Sequence, residues 1–185
     1  TRSQPFKPVR FEMHFPNVRK LSLSKFQISN KLTRPDLLGF GDYNLEELDL
    51  GSSNLDEISG DAFESTPSVK KLVLAKNNLR RIDHNAFKPI GRSLIQLDLN
   101  DGLAGRYLNC FSIFGELSSL QFANLMNNNL EGFEQFNPTT GSSSCFENAN
   151  RIKFLYLDFN SLRSVSRELL SPLADLVTFS ASFNK

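Results

Sequence analysis

A set of apolar residues at fixed offsets recurs along this chain, and it constrains the fold more than any other feature. Leu45-Glu-Glu-Leu48-Asp-Leu50 followed by Leu55 returns as Val69-Lys-Lys-Leu72-Val-Leu74 followed by Leu79. Further copies are Val18/Leu21/Leu23/Ile28, Leu120/Ala123/Leu125/Leu130 and Ile152/Leu155/Leu157/Leu162. Leu94/Leu97/Leu99 is a copy whose second half has drifted, and Leu176/Phe179/Ala181 is cut short. The starts at 18, 45, 69, 94, 120, 152 and 176 are separated by 27, 24, 25, 26, 32 and 24 residues. Such spacing marks a repeat architecture. Positions 4 and 6 of each unit lie two apart, the period of a strand, so Leu48 and Leu50 point to one face and positions 3, 5 and 7 to the other. A strand of about five residues cannot bury one face alone. Stacked copies, ~4.8 Å per step, make a parallel sheet with a continuous leucine core behind it.

The ninth position explains an unusual composition. The chain holds 28 Leu and 18 Asn, and Asn77, Asn128, Asn160 and Asn184 fall at position 9. Where the strand turns inward, buried backbone groups lose their ladder partners. An Asn side chain offers an acceptor and two donors on a short stem and can satisfy them. Ser53 can do half of this; Gly102 and Phe26, in the same slot, cannot, so irregular turns are expected there. Position 14 (Ile58, Ile82, Val165) and position 19 (Phe63, Phe87, Leu170) belong to the return path that covers the core from the far side.

The pattern L-x-x-L-x-L-x-x-N-x-L resembles the leucine-rich-repeat family over residues 18 to 185, with four near-complete copies. The variant with Ile at 14 and Phe at 19 looks like the typical subfamily of about 24 residues, common in ectodomains of animal receptors and matrix proteins. The resemblance implies an α/β fold: a right-handed solenoid, a horseshoe segment with a parallel β-sheet on the concave face and loops and short 3-10 or helical turns on the convex face. The expected organisation is one domain over 1–185. Residues 1–17 form a capping segment or an extra strand with Val9, Phe11 and Met13 inward, and about seven repeats follow over 18–185, the last truncated. Solenoids need polar caps. The chain is therefore expected to be a fragment of a longer ectodomain, or to have its end covered by a partner.

Composition excludes several functions. With 21 basic and 20 acidic side chains the net charge is +1, which removes the broad basic field that nucleic-acid binding needs. No run of 18 apolar residues exists, so no membrane span is expected within the chain. Two cysteines are too few for a disulfide-scaffolded mini-domain. Cys110 sits at position 17 of unit four and Cys145 ends an insertion in unit five that begins at Gln135. Corresponding positions of adjacent coils lie within the disulfide Cα range of roughly 4.4–6.8 Å, so a Cys110–Cys145 bridge is expected; two buried free thiols are the alternative. A bridge implies an oxidising compartment. The lack of any Asn-x-Ser/Thr sequon weighs against secretion.

No chemistry stands out. His14 and His84 have no metal-ligand companions at useful spacing, no Gly-rich phosphate loop follows a strand, and Glu46-Glu47 lacks an acid/base partner. We expect no enzyme activity, no metal and no cofactor.

The concave face is readable from the register, at positions 2, 3, 5, 7 and 8. Its first half alternates in sign, with Lys20, Glu47 and Lys71 on successive strands placed for lateral ion pairs. Such exposed pairs contribute only about 0–1 kcal/mol. Its second half carries Phe122, Met126, Phe154, Tyr156, Phe159 and Phe183. Large apolar groups on a wet face mark binding sites, and aromatics with a polar rim make hot spots; burial under loops or in ladders along the sheet is the structural alternative. The expected function is protein–protein recognition through the concave face, within a cell-surface receptor, adhesion or matrix protein. The setting implied by resemblance is extracellular or cell-surface. The alternatives are a structural, self-assembling protein and an intracellular scaffold or inhibitor. The expected partner is another protein or a second copy, not nucleic acid.

Overall fold

A computed structural model describes residues 17–26, 30–37, 44–134 and 144–185. The strand expected over Val9–Met13, His14 and most of the insertion from Gln135 lie outside the described residues. The strands, all short, are β1 (Lys20–Ser22), β2 (Lys31–Leu32), β3 (Glu47–Asp49), β4 (Glu57–Ile58), β5 (Lys71–Val73), β6 (Arg81–Ile82), β7 (Gln96–Asp98), β8 (Tyr107–Asn109), β9 (Phe122–Asn124), β10 (Gly132–Glu134), β11 (Phe154–Tyr156) and β12 (Thr178–Ser180). Helix is scarce: α1 (Arg34–Leu37), α2 (Cys110–Phe114), α3 (Arg167–Leu170) and one 3-10 turn at Lys88–Ile90.

The main sheet has seven parallel strands in the order β1-β3-β5-β7-β9-β11-β12, one from each copy of the sequence pattern. Register follows the repeat: Leu21 lies beside Leu48, Leu48 beside Leu72, Leu72 beside Leu97, Leu97 beside Ala123, and Ala123 beside Leu155. Positions 4 and 6 point behind the sheet, where Leu48, Leu50, Leu72, Leu74, Leu97, Leu99, Leu155 and Leu157 are buried. The return path closes the core with Ile58, Phe63 and Phe87, the two rings stacked at 5.8 Å.

The asparagines brace the turns, each reaching into the repeat before its own. Asn128 Nδ2 donates to Leu99 O and Leu125 O, while its Oδ1 accepts from the N–H groups of Gly102 and Leu103. Asn160 does the same for Leu125 O, Leu157 O, Asn128 N–H and Leu130 N–H. Asn77 serves Leu50 O, Leu74 O and the N–H groups of Ser53 and Leu55. Ser53 donates to Leu23 O from its hydroxyl, the half share expected of it.

The turn at Gly102 differs from expectation. It is not irregular: Asp101 N–H donates to Met126 O, as Lys76 N–H does to Asn100 O one repeat earlier. Instead the backbone replaces the missing side chain. Leu79 N–H, which would need an asparagine Oδ1, donates to the carbonyl of Gly102 at 2.9 Å. Glycine permits this approach, because a Cβ there would stand 2.9 Å from Leu74 O and 3.0 Å from Leu99 O. At the Phe26 turn the pattern also persists, with Lys25 N–H donating to Gly51 O.

Position 8 has a uniform backbone. Lys25, Ser52, Lys76, Asp101, Asn127, Phe159 and Phe183 all have φ between 53° and 63°, the left-handed region. This residue turns the chain from the strand toward the asparagine slot in every repeat, and Asn54 and Asn129 add a second left-handed residue in units two and five.

The far side is more ordered than loops and helical turns. β2-β4-β6 form one small parallel sheet and β10-β8 another. Cys110, at the start of α2, is bridged to Cys145 with Cα atoms 4.9 Å apart. The bridge ties unit four to the end of the unit-five insertion.

Removing one brace leaves several buried backbone groups unpaired. Asn128→Ala should destabilise the chain by about 3 kcal/mol in chemical denaturation, and Gly102→Ala by about 1–3 kcal/mol through the clash with Leu74 O. An Asn128→Ala variant with unchanged stability would refute the brace.

Candidate functional site

The open face of the main sheet has two halves. On β1, β3 and β5 the lateral charges run through position 2 as well as position 3. Glu46 is paired with Arg19 Nη1 at 2.6 Å and with Lys70 Nζ at 3.3 Å, bridging three strands. Lys20 reaches Glu47 at 2.7 Å. Lys71 stands beside Glu47 in register but makes no ion pair with it, so the expected Lys20–Glu47–Lys71 chain stops at its first link. Adjacent Glu46 completes the three-strand bridge instead. The hydrogen bonds from Lys70 and Arg19 hold the Glu46 carboxyl below the usual carboxylate range. On the far side Glu57 accepts from Lys31 and is lowered likewise.

Position 5 residues on this face serve the backbone. Asp49, Asp98 and Asn124 each accept the N–H two residues on, from Gly51, Asn100 and Met126. Asp158, buried, accepts from Ser180 Oγ at 2.5 Å and Ser182 N–H at 3.0 Å. These side-chain oxygens stiffen the strand ends.

The second half of the face is aromatic, and the rings meet. Phe122 and Phe154 are register partners on β9 and β11 with ring centroids 6.5 Å apart. Tyr156 leans toward Phe122, at 5.5 Å. All three are half-buried. Phe159 and Phe183 stack at 4.5 Å with planes 7° apart, and they are 50% and 74% exposed. Met126, half-buried, occupies position 7 of the repeat between Phe122 and the Phe159 turn in sequence. No loop among the described residues covers the outer pair. Two neighbours on the last described strand add to the apolar surface: Val177 at position 2, a concave-side position in the repeat register, is 72% exposed, and Phe179, in a core slot, is 38% exposed.

Backbone strain and exposure coincide at the stacked pair. The left-handed region is a true outlier for a bulky side chain and costs roughly 1–2 kcal/mol. The other five repeats place Lys, Ser, Lys, Asp and Asn there. Stacking returns about 0.5–1.5 kcal/mol. Two exposed Phe residues at such positions gain little for folding, and strain of this kind concentrates at binding sites.

Among the described residues no cluster of three or more His, Cys, Asp or Glu could hold a metal ion. His84 lies on the far side, 3.4 Å from Asp83 and stacked on Phe111.

Two measurements test these assignments. The Glu46 pKa is lower folded than unfolded, so its bridge adds stability above the ordinary glutamate range and loses it as pH falls through the lowered value. The stability difference between the native chain and Glu46→Gln should shrink on acidification through that window and in high salt. A difference independent of pH would contradict the bridge. Phe159→Asn, which suits a left-handed backbone, should not lower the melting temperature; a marked loss would assign the ring to the core.

Known proteins share the repeat. Residues 43–101 match the leucine rich repeat family. Toll-like receptor 3 of Bos taurus is 27% identical over 172 residues, 88% of this chain and 18% of that protein. Chaoptin of Drosophila melanogaster is 34% identical over 92 residues, 50% of this chain and 7% of that protein. The chain thus spans less than a fifth of the length of either. The solved complex of TLR13 with ssRNA13 aligns at a TM-score of 0.65 and 24% identity, covering 92% of this chain and 25% of that one, a likeness of fold. By its repeat, its asparagine braces and these matches, the chain is built of leucine-rich repeats.

Proposed function

We propose that this chain is a recognition module that binds another protein through the open face of its sheet. The contact centres on Phe122, Met126, Phe154, Tyr156, Phe159 and Phe183. The stacked and exposed Phe159–Phe183 pair, held in a left-handed backbone, carries this reading. The half-buried Phe122, Phe154 and Tyr156 supply a firm floor, and Lys20, Glu47 and Lys71 a charged region that orients the partner. A braced sheet loses little conformational entropy on binding.

A protein is favoured over nucleic acid as the partner. The first half of the face alternates in sign, and Arg19, Lys20 and Lys70 are engaged by Glu46 and Glu47, so acidic groups interrupt any positive track for phosphates. The proposed setting is a cell-surface or secreted receptor, adhesion or matrix protein. The buried Cys110–Cys145 bridge suits an oxidising compartment, and Toll-like receptor 3 is by name a receptor. Among the described residues no helix is long and apolar enough to cross a membrane. The reading is one of binding rather than catalysis.

Screening a multimerised form of the chain against an array of ectodomains and secreted proteins should return a partner. Tyr156→Ala or Phe159→Ala should then weaken its binding by over ~2 kcal/mol, about thirtyfold, with little change in folding. Unaltered affinity across single alanines at Phe122, Phe154, Tyr156 and Phe159 would sink the proposal. Sedimentation separates the self-assembling alternative: a concentration-dependent dimer abolished by the same alanines would make the partner a second copy.

A further inference from the structure

The far side carries a break of its own, away from the aromatic patch. Repeats three and four are paired as far as Leu79 and Leu103, where Ala104 N–H donates to Leu79 O. Beyond that point the coils part. β6 ends the sheet β2-β4-β6, and β8 pairs only with β10, leaving two strand edges facing one another unpaired. Between them lies a cavity of about 190 Å³, with Ile82, Leu103 and Ile113 in its lining and Arg80, Arg81 and Tyr107 on its rim. The parting is visible in burial as well. Ile58, one repeat earlier, is fully buried, whereas its counterpart Ile82 is only partly so, as is Leu103.

The edge of β6 is equipped for a strand. Arg81 and Asp83 give their N–H groups to Asp56 O and Ile58 O. The alternation of a parallel ladder therefore turns the Ile82 N–H and the carbonyls of Arg80 and Ile82 toward the gap. The charged residues of its lining, Arg80 and Arg81, have one sign. No acidic residue lines the cavity, Arg80 is exposed with no ion-pair partner among the described residues, and Arg81 reaches Glu57 only at 3.7 Å. The volume suits one aliphatic side chain, since an engineered apolar cavity of about 150 Å³ holds benzene.

We propose that this wedge is a second binding site, which takes an extended acidic segment of a partner protein as a strand added to the edge of β6. One aliphatic side chain of that segment fills the cavity, and a carboxylate beside it meets Arg80 and Arg81. Main-chain pairing supplies affinity, while the pocket and the arginines supply selectivity. Exposed edges of this kind are what β-augmentation uses.

The test uses a synthetic octapeptide alternating Glu with Val and Ile, and a control with Lys in place of Glu, read by amide hydrogen exchange and chemical-shift mapping. The acidic peptide should slow exchange at the Ile82 amide by about tenfold or more and shift Arg80–Asp83 and Tyr107–Asn109. The Lys peptide and the Arg80→Glu variant should each bind about tenfold more weakly or worse. Ser112→Phe, which fills the cavity from α2, should abolish binding. Should that variant fold poorly, the exposed Arg80→Glu change still decides the matter. Tyr156→Ala should leave peptide binding intact, which keeps this site separate from the concave one. No protection at Ile82, equal binding by the Lys peptide or by Arg80→Glu, or shifts confined to the aromatic patch would overturn the proposal.

Discussion

A parallel sheet that turns inward after every strand buries backbone N–H and C=O groups that the ladder no longer reaches. Such groups cost on the order of 1–3 kcal/mol each when unpaired in an apolar interior. The leucines drive stacking, but stacking is possible only if every turn settles this debt of hydrogen bonds. Asn77, Asn128, Asn160 and Asn184 do so with one side chain each, spanning two coils. Once the turns are satisfied, the coils repeat closely enough for Leu48, Leu72 and Leu97 to lie in register, and the open face inherits that order.

Much of the frame was legible in the sequence because it repeats. Positions 4, 6 and 9 recur with the same chemistry, so the leucine core, the asparagine braces and the seven-stranded order could be read from spacing. What escaped reading lacks a side-chain signature. The left-handed residue at position 8 is Lys, Ser, Asp, Asn or Phe, and no common property reveals it. Gly102 looked like a defect because its compensation is made by a main-chain carbonyl, which a sequence does not display. Strands β2, β4 and β6 are two residues long and show no alternation of their own. The choice of Glu46 over Glu47 as the three-strand bridge depends on rotamers of long side chains, beyond any register argument. The aromatic residues of the open face were identifiable by position, but their pairing into Phe122–Tyr156 and Phe159–Phe183 is a matter of ring orientation.

The two halves of that face obey different physics. Charges on β1, β3 and β5 are wet and screened, so they neutralise one another at little energetic cost. The strands that carry the rings, β9 and β11, are anchored on their other face by buried Ala123 and Leu155. Phe159 and Phe183 stand on turns instead of strands, above the stiffened end where Asp158 ties β11 to the next repeat. Charged and aromatic residues thereby occupy separate strands of one braced surface.

The braces also have a direction. Asn77 completes the turn after Leu50, Asn160 the one after Leu125, and Asn184 the one after Leu157, while each also holds a carbonyl of its own repeat. Each coil is finished by its successor. The newest turn of a growing stack is therefore unfinished: its carbonyl is met by its own asparagine, but its N–H groups, such as those of Asn128 and Leu130, have their acceptor in the next repeat. The brace that locks each link belongs to the link behind it. A unit moved by grafting keeps its brace when the position-9 residue of the following unit, whether asparagine, Ser53 or Gly102, travels with it.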